Sequence, residues 1–103
     1  MTYAQIVSEF KNKPRDVSTS PISNVQPKYF HVTSVDGSIY ISNAISHQHS
    51  SRIRTDRKLN ENEYEPMLNL YHRRQAGEKV SQEAIRITIN SVYWYGIFAE
   101  LKL

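Results

Sequence analysis

Asp36-Gly37 separates two β-rich runs, Tyr29–Val35 and Ser38–Ser42. A two-residue link between strands favours a type I′ turn, which needs positive φ at both positions, and Asp-Gly tolerates that. The spacing predicts an antiparallel hairpin over about residues 28–43. In its second strand Ile39 and Ile41 share one face, while Ser38, Tyr40 and Ser42 share the other. An apolar face of this kind needs a cover, and helical segments on either side of the hairpin supply one. The fold class expected is α+β: a small sheet built on the hairpin, C-terminal helices packed on it and a short N-terminal helix.

The N-terminal helix is predicted over Thr2–Phe10, where Thr2 caps, Gln5 completes a capping box, and Ile6 and Phe10 fall on one face. Between Lys11 and Pro27, three prolines lie among serines, Thr19 and Asn24, a composition that breaks regular structure and predicts a loop. Residues 1–27 are therefore expected as a helix and a Pro/Ser-rich arm, and residues 28–103 as a single α+β domain.

A longer helix is expected from Asn60, with Glu63 at the third helical position and Leu59 stapling onto Tyr64. Pro66 is tolerable only near its start. Arg73 and Arg74 suit its carboxyl end, and Gly77 suits the left-handed position that stops it. From Val80 to Leu103 two patterns compete. Ser81 and Asn90 or Ser91 are helix caps, yet Ile85, Ile87 and Ile89 alternate like a strand, which would turn at Asn90-Ser91. The Ser81 cap and the Ala99-Glu100-Leu101-Lys102 ending favour helices.

Charge is uneven. The net +3 resolves into eight Lys and Arg against four Asp and Glu in residues 1–60, and five against six thereafter. Arg52, Arg54, Arg57 and Lys58 fall within seven residues with only Asp56 among them. Ser51–Thr55 alternates and predicts a third strand, with Ile53 inward and both arginines outward. Such a cluster attracts phosphates, or else it guards a sheet edge against pairing with another chain.

The segment Gly77–Tyr93 resembles a helix-turn-helix DNA-binding motif: a glycine-ended helix, a Ser-capped short helix with alanine at its fourth position, then an Asn/Ser-capped helix. With the preceding helix the resemblance covers Asn60–Leu103. It implies that the last helix enters a major groove, through Ser91, Tyr93, Trp94, Tyr95 and Phe98. No lysine or arginine precedes Lys102 in that helix.

The adjacent Tyr93, Trp94 and Tyr95 fit a small core or a homodimer interface, with stacking on unpaired bases as the other use. His47 and His49 would share one face of a strand, but no third ligand lies nearby and no metal site is expected. Without cysteine there is no thiolate chemistry, and three glycines leave no phosphate loop. No GxSxG elbow appears either. No enzyme activity and no cofactor are expected. No apolar run is long enough to cross a membrane. The start lacks a secretory pattern, which makes a cytoplasmic setting the default.

The leading expectation is a non-catalytic protein that binds DNA or RNA. Arg52, Arg54, Arg57 and Lys58 would meet phosphates, with Arg73 and Arg74 extending the surface. The alternative is a protein-interaction or homodimeric module using Tyr93, Trp94 and Tyr95. A nuclease built on His47 or His49 with Arg52 or Arg54 ranks third.

Overall fold

The computed structural model describes residues 1–103. In chain order the elements are α1 (Tyr3–Asn12), β1 (Arg15–Ser18), β2 (Tyr29–Val35), β3 (Ser38–Asn43), β4 (Arg57–Leu59), α2 (Glu61–Gln75), α3 (Ser81–Ile87) and α4 (Ser91–Leu101). The four strands form one antiparallel sheet in the order β1-β2-β3-β4. The chain is α+β, with helices at both ends.

The hairpin forms as expected. Val35 pairs with Ser38, and Asp36 and Gly37 hold φ of 50° and 77°. Side chains alternate across the pleat, so Val17, Phe30, Val32, Ile39, Ile41 and Leu59 are buried on one face. Helix α1 covers β2 and β3, α4 covers β1, and α2 packs against α4. The other face carries no helix. Asp16, Tyr29, His31, Thr33, Tyr40 and Lys58 lie there by the same alternation.

Residues 1–27 do not stand apart as an arm. Tyr3, Ile6 and Phe10 are buried in the same core as the sheet, and the capping box of Thr2 and Gln5 starts the helix. The Tyr3 hydroxyl donates to the Leu59 carbonyl at 2.6 Å and accepts from the Ile39 amide at 3.2 Å. That one side chain fastens α1 to two strands. The expected loop also contains β1, which pairs with β2 from Arg15↔Val32 to Ser18↔Tyr29. Only Val17 of β1 enters the core, too little apolar pattern to mark a strand.

The strand expected at Ser51–Thr55 does not form. Sheet pairing on that side falls to Arg57–Leu59 against Ile39–Ile41. Ile53 is nonetheless buried, and Asn43 holds its backbone from both ends: Asn43 Nδ2 donates to the Ile53 carbonyl at 2.9 Å and Oδ1 accepts its amide at 2.8 Å. One amide side chain substitutes for a strand partner.

The C-terminal quarter is helical. Its cap positions are Val80 for α3, one residue before the expected Ser81, and Asn90 for α4. Tyr93 to Phe98 are all buried, which explains their lack of amphipathic period: α4 lies between the sheet and α2. Gly96 allows the close approach, since a Cβ there would sit 2.6 Å from the Ser18 carbonyl oxygen.

Candidate functional site

Four of the expected site residues converge. Arg52, Arg54, Arg57 and Lys58 line one cleft of about 590 Å³, together with Asp56 and Asn90. Arg52 and Arg54 flank the inward Ile53 and are exposed, as the alternation required. Arg57 reaches across to the α3–α4 junction. Its Nη1 donates to Asn90 Oδ1 at 3.1 Å, and its guanidinium lies 5.6 Å from the centre of the Tyr93 ring. Asn90 therefore uses its side chain on Arg57 rather than on capping α4, while its own amide is held by the Thr88 hydroxyl at 2.9 Å.

The cations of this cleft are not ion-paired, unlike Arg15 and Arg73. Arg15 lies 3.0 Å from both Glu9 and Glu100. Arg73 is held by Glu78 at 3.0 Å and by Glu83 at 2.8 Å, bridging α2 and α3. No carboxylate oxygen lies within 4.0 Å of the charged nitrogens of Arg52, Arg54, Arg57 or Lys58.

Arg73 and Arg74 do not extend this surface. Arg73 is neutralised by its two glutamates. Arg74 stacks 4.4 Å from the Tyr95 ring centre and donates to the Ser20 carbonyl at 2.7 Å, on the wall of a different cleft. Tyr93, Trp94 and Tyr95 are likewise not a partner surface. All three are buried in the chain's own core, where Trp94 is 0% exposed and packs against Phe98 and Tyr64. On α4 the side chains left at least partly open are those of Ser91, Val92, Ala99, Glu100 and Leu101, none of them cationic.

A second polar cluster lies on the uncovered sheet face, built from residues too far apart along the chain to leave a local motif. The Asp16 side chain is only 3% exposed. It accepts from the amides of Ile45 at 3.0 Å and Ser46 at 2.7 Å, and from Nδ1 of His31 at 2.9 Å and of His47 at 2.8 Å. An ionised carboxylate only accepts, so both rings carry their proton on Nδ1. Burial pulls the Asp16 carboxyl up, but bonds from Ile45, His47, His31 and Ser46 together outweigh it and hold it well below the usual carboxylate range. His47 also stacks on Tyr29 with ring centres 3.7 Å apart. These contacts pin the segment after β3 across the sheet. His47 and His49 part company as a result, for His49 lines a second cleft that also contains Arg52.

Compared with protein-family models, with curated proteins and with solved structures, the chain matches none.

Proposed function

We propose that this chain binds nucleic acid through the Arg52–Lys58 cleft and carries out no reaction there. The observation supporting this is that four cations line one cleft and none of them is ion-paired to a carboxylate. Edge protection accounts for Lys58, which lies on the edge strand β4, but not for Arg52 and Arg54, which lie off the sheet. Unpaired guanidinium groups in a concave site suit phosphate oxygens, which accept their paired N–H donors.

The test is titration of labelled DNA and RNA oligonucleotides at several salt concentrations. Each phosphate neutralised contributes about −0.7 to −0.9 to the slope of log K against log salt. Three or four contacts give a slope of about −2 to −3.5. Changing Arg52, Arg54 and Lys58 together to alanine should flatten it. Binding that ignores salt, or that survives the triple change, defeats the proposal.

A further inference from the structure

Beside the cation cleft lies a second of about 760 Å³, and the two share Arg52. Their linings differ in chemistry. The first is cationic. The second, besides Arg52 and Lys28, combines the amides of Gln26 and Gln48 with the apolar side chains of Val25 and Val92, while the Thr19 and Ser50 hydroxyls on its wall are bonded to the chain's own backbone. Its volume falls within the ~300–1,000 Å³ typical of small-molecule pockets. Gln26 and Gln48 are exposed, and no protein hydrogen bond involves either side chain.

We propose that the second cleft seats an unstacked nucleobase, so that the ligand is single-stranded nucleic acid. This rests on the phosphate-binding role of the first cleft. A side-chain amide offers both donors and an acceptor, the combination found along a base's Watson–Crick edge. Val25 and Val92, 61% and 43% exposed, supply apolar surface for the flat base face. Arg52, common to both clefts, lies where the phosphate attached to that base would pass. In a duplex the same edges are paired and stacked inside, and a base cannot enter a cleft beside the backbone that carries it.

The experiment compares a labelled single strand, the same sequence as a duplex, and inorganic polyphosphate as competitor, each with the full chain. The single strand should bind at least about tenfold tighter than the duplex, and polyphosphate, which fills only the cation cleft, should compete less well than unlabelled single strand. Changing Gln26 and Gln48 together to alanine should weaken the single strand by about tenfold while leaving duplex and polyphosphate binding unchanged. Both positions are exposed, and an unchanged melting temperature confirms that the variant folds. Equal affinity for duplex and single strand overturns the base-seating inference while the phosphate role stands. So does a double variant that binds every ligand as the parent does. Loss of salt-sensitive binding to all three ligands overturns the phosphate role as well.

Discussion

Trp94 donates its indole N–H to Oε1 of Glu63 at 3.0 Å, joining the centre of α4 to the first turn of α2. Glu63 stands where a capping box would use it, yet Asn60 makes no side-chain cap bond. The glutamate serves the core instead. Changing Glu63 to alanine leaves a buried donor without its partner and should cost about 1–3 kcal/mol. Glutamine keeps the acceptor and should recover most of that loss. Urea unfolding followed by the fluorescence of Trp94, the one tryptophan, measures both.

Asp16 should govern acid stability. Its folded carboxyl is held below the range of an unfolded aspartate, near 3.9. Its contribution is therefore complete above about pH 4 and is lost as the pH falls below that. Asp16→Asn turns one acceptor into a donor facing other donors and should cost about 2–4 kcal/mol at pH 7. Denaturation at pH 7 and again at pH 2.5 checks the sign: the gap between parent and variant must narrow in acid.

Gly96→Ala sets helix propensity against packing. Alanine favours a helix interior by about 1 kcal/mol. Its methyl group would meet the Ser18 carbonyl oxygen at 2.6 Å and Phe30 Cζ at 2.9 Å. Backbone cannot yield as a flexible side chain does, so packing wins and the variant should lose about 1–3 kcal/mol. A rise in melting temperature would contradict the close approach of α4 to β1.

Arg74→Ala separates the two arginine groups. Arg74 lies outside the cation cleft, and at physiological salt charges are screened beyond about 8 Å. Nucleic-acid affinity should stay within about twofold of the parent. Stability should fall, because the stacking on Tyr95 and the bond to Ser20 are lost. Anisotropy titration and a thermal melt on the same sample distinguish the two effects.

Local chemistry made some of this legible and tertiary contact hid the rest. Asp36-Gly37 announces its hairpin because turn geometry is decided by the two residues themselves. The cation cluster was visible because its members are neighbours in sequence. Tyr93–Phe98 reads ambiguously because a helical stretch buried on all sides carries no period to separate it from a buried strand. Arg15–Ser18 looked like loop because a strand with one inward residue has almost no pattern. Asp16 was invisible as a hub, for His31 and His47 stand 15 and 31 residues away from it. Asn90 likewise meets Arg57 only across 33 residues.

The two bonds from Asn43 to Ile53 bear on more than a missing strand. They hold in place the backbone between Arg52 and Arg54 before any ligand arrives. Ordering a residue's backbone takes about 1–2 kcal/mol of entropy, a cost that a floppy loop defers to the moment of association. Here it falls on folding. An anion meeting Arg52 and Arg54 has only their side chains to immobilise, and Asn43→Ala would transfer the backbone share of that loss to the encounter itself.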